Sequence, residues 1–173
     1  MTSPADIASV VERFLKKEKR AVGVEQPIAW APGFNEHEAV IRVPLEIDGE
    51  LTGSQLMVVA FPSARTLKFR LGLLFPGAVC RLDFTDETHV NTFAAASDGV
   101  PGIVTGPHYH SWPLNRRFCR GIKFPTKLHN ACPFETGARS FDSVLRWFCS
   151  DVGIAGLPTT HRIELPTTDR LFP

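Results

Sequence analysis

The sequence predicts an α+β fold: a four-stranded antiparallel meander with an N-terminal and a C-terminal helix packed on one face and a long irregular loop before the last helix. Three observations carry that prediction. Apolar residues recur with a helical period near both ends of the chain, and with a period of two between residues 38 and 84. Between residues 85 and 135 no period is visible, and the composition turns to Gly, Pro and His. Helices segregated to one face of an antiparallel sheet bury both kinds of stripe in one core, so the chain reads as a single domain over residues 1–173.

The first helix is expected over 4–20. Ser3 is its cap, Pro4 stands in the first turn and Asp6 faces the positive end of the helix dipole. Ile7, Val10, Val11, Phe14 and Leu15 then form one apolar stripe, and the helix runs into Lys16-Lys17-Glu18-Lys19-Arg20. The meander is expected over 38–84. Ile41, Val43, Leu45 and Ile47 alternate with Arg42, Pro44, Glu46 and Asp48, and Pro44 marks an edge or a bulge because it has no N–H to donate. Asp48-Gly49 is a tight-turn signal leading to a second strand, Gln55 to Phe61. Leu67, Phe69, Leu71 and Leu73 make a third, and Pro76-Gly77 turns the chain into a fourth, Val79 to Phe84. A site loop is assigned to 85–135, since an irregular stretch of that length in a compact domain is usually functional. The last helix is expected over 140–152, capped by Ser140, with Phe141, Val144, Leu145, Phe148 and Cys149 on its buried stripe and Gly153 stopping it. The tail from Leu157 reads as an extended arm.

Composition removes several functional classes. Apolar residues at 43% and charged residues at 21% are ordinary for a water-soluble globular protein, and no apolar run reaches the length of about 18 residues that spans a bilayer. Nothing therefore points to a membrane. A net charge of +1 argues against a globally basic nucleic-acid binder. The charged N-terminal segment does not read as an export signal, which places the protein in the cytoplasm with its four cysteines (Cys80, Cys119, Cys132, Cys149) reduced. Ser54 and Ser97 have no nucleophile-elbow context. Trp30 and Trp147 read as packing aromatics.

The uneven placement of charge is more informative than its total. From Gly99 to Phe134 there is no acid, while Arg116, Arg117, Arg120, Lys123 and Lys127 fall in that span. His89, His108 and His110 lie within 22 residues, with Asp86 and Glu87 before them and the arginine pair after. His108 and His110 in extended backbone would point to one face and Tyr109 to the other. Three chemistries fit. Neutral-range imidazoles at His89, His108 and His110 can act as general acid and base on a phosphodiester, RNA being the first candidate, with Arg116 and Arg117 on the phosphate and no cofactor needed. The same three histidines can ligate one transition-metal ion such as zinc, with Asp86 or Glu87 assisting; a closed structural version would add Cys119, His129 or Cys132. Alternatively the loop is a recognition surface for a protein partner or a phosphate-bearing ligand, where Asn91, Tyr109, Trp112, Asn115, Arg116 and Arg117 contact the bound molecule. The plain alternative is that the histidines merely tether a long loop to the sheet.

Arg81-Leu82-Asp83, His89-Val90-Asn91, Gly106-Pro107-His108-Tyr109-His110 and a closing helix with Trp147-Phe148-Cys149 resemble, in order and spacing, a family of short uncharacterised bacterial proteins. The resemblance covers residues 50 to 158 and departs after His110, where this chain carries Ser111-Trp112-Pro113 and the arginine pair. It implies the location of a site and no activity. The element order also resembles that of ubiquitin-conjugating-enzyme-like folds. The chain lacks a His-Pro-Asn motif followed by a cysteine, so that resemblance implies a non-catalytic interaction module, for instance in a conjugation-like or defence system.

Overall fold

A computed structural model describes residues 6–24, 26, 28–119, 123–124, 127–157 and 162–166 of the chain. Helix α1 spans Ile7–Lys16 and buries Val11 and Phe14. The proposed Ser3 cap, Arg120 and most of the extended tail lie outside the described residues. The cationic run after α1 does not prolong the helix. Lys17 is extended and Lys19–Ala21 form strand β1. The reason is at Lys19, whose side chain is fully buried and whose Nζ donates to Lys17 O (2.7 Å), Val152 O (2.8 Å) and Leu15 O (3.4 Å). One ammonium thereby caps carbonyls at the C-terminal ends of two helices, where cations are favoured.

The remaining strands are β2 (Ala31–Pro32), β3 (Ala39–Ile47), β4 (Glu50–Ala60), β5 (Phe69–Phe75), β6 (Gly77–Phe84), β7 (Thr88–Val90), β8 (Ile103–Thr105), β9 (His108–His110), β10 (Cys132–Pro133) and β11 (Ile154–Ala155). A short helix, α2, covers Trp112–Asn115, and α3 covers Phe141–Asp151. The four-stranded meander expected from the sequence is corrected: it is the middle of a nine-stranded mixed sheet ordered β10-β9-β6-β5-β4-β3-β1-β11, with β2 also paired to β3. Strand β11 runs parallel to β1, and the other pairings are antiparallel. The irregular loop is corrected too. It contains β9 and β10, which extend the sheet beyond β6, and β7 and β8, which form a separate two-stranded ribbon. Strands of two or three residues show no period of their own; they exist because a neighbour already offers free N–H and C=O groups.

Local chemistry explains the long hairpin. Asp48 and Gly49 both have positive φ (55° and 82°), the two-residue turn whose twist matches the flanking strands, and Ile47 pairs with Glu50 across it. Pro44 sits at a register shift of β3, and its carbonyl accepts from Val22 N. Helix α3 has a full capping box between Ser140 and Ser143, and Gly153 follows its end at φ 70°.

One face of the sheet packs on the helices. Leu56, Val58, Phe69, Leu71, Leu73 and Leu82 share a core with Val11 and Phe14 of α1 and with Phe141, Val144, Leu145 and Phe148 of α3. Phe14 stacks on Phe75 at 4.0 Å, and Phe69 meets Phe141 edge-on at 5.0 Å. The opposite face carries two cross-strand rows that matter for function. One reads Val40, Val59, Arg70, Asp83, His108 and the next Arg42, Met57, Gly72, Arg81, His110.

The buried thiols give the fold a distinct alkaline limit. Burial pushes Cys80 and Cys149 up to about 12 from an ordinary 9.0, so the folded chain keeps protons that the unfolded chain releases. That stabilisation is complete below pH 9 and is lost as pH climbs from there toward 12. Lys19 opposes it: burial lowers it to about 8 from 10.5, so its own term grows over that interval. Several thiols outweigh one amine. The urea midpoint in reducing buffer is expected to fall between pH 9 and 11, with a shallower slope in Cys149→Ala; an unchanged slope in the variant would contradict the assignment.

Candidate metal centre

Strand β9 pairs with β6 so that Asp83 lies opposite His108 and Arg81 opposite His110. Side chains of one face alternate along a strand, so His108 and His110 stand together while Tyr109 turns into the helix-side core, where its hydroxyl donates to Asp151 Oδ2 (2.5 Å). His89 arrives from the ribbon. Val104, its partner across β8, is buried, whereas Val90 and Ile103 on the other face are exposed, so the ribbon turns His89 inward over the sheet. Ring centroids lie 5.4 Å (His89 to His108), 4.6 Å (His89 to His110) and 5.2 Å (His108 to His110) apart. One ligand nitrogen from each ring falls within 4.8 Å of the others, and the three can hold a metal ion. His108 and His110 are 3% and 0% exposed; His89 is half-buried.

Hydrogen bonds fix which nitrogen of each ring is available. His89 Nε2 donates to His129 O (2.8 Å), His108 Nδ1 to Gly106 O (2.8 Å) and His110 Nδ1 to Asn130 O (3.1 Å). A carbonyl can only accept, so each of these nitrogens carries hydrogen. The second nitrogens are His89 Nδ1, His108 Nε2, which lies 3.2 Å from Asp83 Oδ2, and His110 Nε2, which accepts from Arg81 Nη2 (3.0 Å), so a cation on His110 would displace the Arg81 contact.

Asp83 stands beside them. Its Oδ2 is 3.2 Å from His108 Nε2 and 3.5 Å from His110 Nε2, and accepts from Arg81 Nε (3.0 Å) and Nη2 (2.8 Å). Its Oδ1 is buried with no hydrogen-bond donor, although Arg70 Nε is 3.5 Å away. Burial would raise the Asp83 carboxyl, but its contacts with His108 and His110 and the charge of Arg81 outweigh it and hold the group well below the usual carboxylate range. Burial likewise disfavours a charged His108, yet Asp83 and the Gly106 carbonyl raise it above its ordinary value, whereas burial dominates at His110 and lowers it to about 4.

The other expected site residues have different positions. Arg116 pairs with Glu12 (2.9 Å) and Arg117 with Asp98 (2.8 and 2.9 Å), so neither joins the histidines: the acids missing from their own stretch come from α1 and from the turn before β8. Asp86 pairs with Lys68 and Glu87 with Arg70, outside the cluster. Among the described residues, the group able to hold a metal includes none of Cys119, His129 or Cys132. The His129 ring packs against Phe93 and Phe118, and all four cysteines are free. Trp112 is buried in the core. Asn91 and Asn115 are buried and bonded to main chain, so their expected contact with a bound molecule is replaced by contacts within the fold.

Arg81 and Asp83 escape a search for site residues in the loop because they belong to a core strand. Their signal is two opposite charges at i and i+2 in Val79–Phe84, on the face that an otherwise apolar strand turns away from its core. No helix among the described residues is long and apolar enough to cross a membrane. Comparison with known proteins finds no family model, no curated sequence and no solved structure that matches this chain.

Proposed function

We propose that the protein holds one divalent transition-metal ion, with zinc the best match, on His89 Nδ1, His108 Nε2 and His110 Nε2, beside the Asp83 carboxylate. The observation that carries this reading is the orientation of the three rings. Each imidazole gives one N–H to a main-chain carbonyl, and one ligand nitrogen from each ring lies within 4.8 Å of the others; a carbonyl partner of this kind fixes tautomer and direction in metal-ligating histidines. Asp83 Oδ2, 3.2 Å from His108 Nε2 and 3.5 Å from His110 Nε2, places a negative atom beside the rings, where a cation would be favoured. Imidazole with carboxylate suits zinc better than the hard oxygen-seeking ions.

A second reading is that this centre hydrolyses phosphodiesters, RNA first among them. Arg81 favours it: the side chain is 36% exposed and uses Nε and Nη2 on Asp83 and His110, while Nη1 has no partner among the described residues. A phosphate oxygen could take that free donor pair next to the metal. His89, His108 and His110 would hold the ion, and zinc bound there would supply the chemistry of activating water near neutral pH.

Metal analysis of the purified chain tests the first reading, with about one equivalent of zinc expected and a lower melting temperature in chelator. No metal, together with a melting temperature indifferent to chelator, would sink it. Incubation with labelled RNA and single-stranded DNA, before and after chelation, tests the second. Arg81→Ala is expected to weaken binding of the strand and to flatten its salt dependence. A metal-loaded protein inert toward both nucleic acids would leave the centre without that activity.

A further inference from the structure

We infer that Asn91 and Asn115 are positioning residues that hold the segment whose carbonyls align two of the three histidines, Asn115 at the Asn130 carbonyl itself and Asn91 at Ala131, two residues from His129; the inference rests on the metal reading. The carbonyls of His129 and Asn130, which receive His89 Nε2–H and His110 Nδ1–H, belong to a segment with no regular secondary structure between residues 128 and 131. An irregular segment is a poor template for aligning rings unless something else fixes it. Two buried side-chain amides do so. Asn115 Oδ1 accepts from Asn130 N (2.9 Å) while its Nδ2 donates to Asn130 O (2.8 Å) and Ser111 O (2.9 Å). Asn91 Oδ1 accepts from Ala131 N (2.8 Å) while its Nδ2 donates to Ala131 O (2.8 Å) and Pro101 O (2.7 Å). Each asparagine thus exchanges two hydrogen bonds with one main-chain residue, as a partner in an antiparallel ladder does.

The two amides are 5% and 0% exposed, so water cannot take over their bonds. Asn130 O accepts from His110 and Asn115 together, which ties the ring and the amide to one atom. Asn91 is two residues after His89 and follows β7, so it docks the ribbon that brings His89 in. Asn115 therefore sets the tautomer and direction of His110 through the carbonyl they share, and Asn91 sets those of His89 by fixing the segment at Ala131, two residues from the carbonyl that His89 meets. His108 differs, because its Nδ1 bonds Gly106 O outside this segment.

The test uses the full chain, freed of metal and titrated with Co²⁺, in Asn91→Asp and Asn115→Asp. A carboxylate keeps the acceptor but loses both N–H donors and faces carbonyls instead. Cobalt affinity is expected to fall about 10- to 100-fold with a changed visible spectrum, the usual result of removing an outer partner. Nitrogen-15 spectra of the metal-free variants are expected to show the His110 or His89 tautomer disturbed and that of His108 intact. A merely structural role would lower the melting temperature and leave those readouts alone. Should an aspartate variant not fold, Asn91→Ser and Asn115→Ser carry the same measurements. Folded variants with wild-type cobalt affinity and wild-type tautomers would overturn the inference while the metal reading stood. A wild type that takes up no Co²⁺ would overturn both.

Discussion

His110→Ala is expected to cost the protein its metal. Structural zinc sites are worth about 10 to 16 kcal/mol across four ligands, so one ligand carries about 3 kcal/mol, or about a hundred- to thousandfold in affinity. His110 is the most deeply enclosed of the three rings, fully buried between Arg81 and the Asn130 carbonyl. Competition against a chromogenic chelator gives the dissociation constant directly. Tight, stoichiometric binding retained in His110→Ala would place the metal elsewhere or rule out this centre.

Asp83→Ala is expected to destabilise the chelator-treated protein by about 3–5 kcal/mol, the usual cost of removing one partner from a buried ionic cluster. The carboxylate is 5% exposed and is the shared counter-charge of Arg81, Arg70 and His108. With it gone, Arg81 loses its carboxylate and Arg70 keeps only Glu38 and Glu87. Urea denaturation in chelator isolates this effect from metal binding; a loss below about 1 kcal/mol would mean the cluster is no better than a surface pair. Asp83→Asn, which keeps an acceptor for Arg81 but not the charge, is expected to fall between the two.

The parts of this molecule that were legible in the sequence are those whose neighbours along the chain decide them. Val11 and Phe14, Val144 and Phe148, and the alternation from Ile41 to Ile47 all read correctly, because period and capping are local properties. The centre was legible in its histidines: the i, i+2 pair on β9 and His89 do converge. Its framework was not. Lys19 looked like a helix tail because nothing nearby reveals that the carbonyl of Val152, 133 residues away, would accept a hydrogen bond from it. Arg116 and Arg117 looked like a phosphate grip because Glu12 and Asp98 lie outside the acid-free stretch. The short strands β1, β2, β9, β10 and β11 are products of pairing, and pairing between distant segments leaves no trace in a window of ten residues.

The parallel contact of β1 with β11 makes the sheet depend on synthesis order. Lys19 and Arg20 are joined to Ile154 and Ala155, so a ribosome must add the whole stretch from β1 to β11 before the outer edge of β1 is covered. At roughly 5–20 residues per second, that edge is bare for several seconds, with unpaired amides beside apolar core. In a nascent chain this is the segment that a chaperone would meet first and that neighbouring copies on a polysome would pair with if none came.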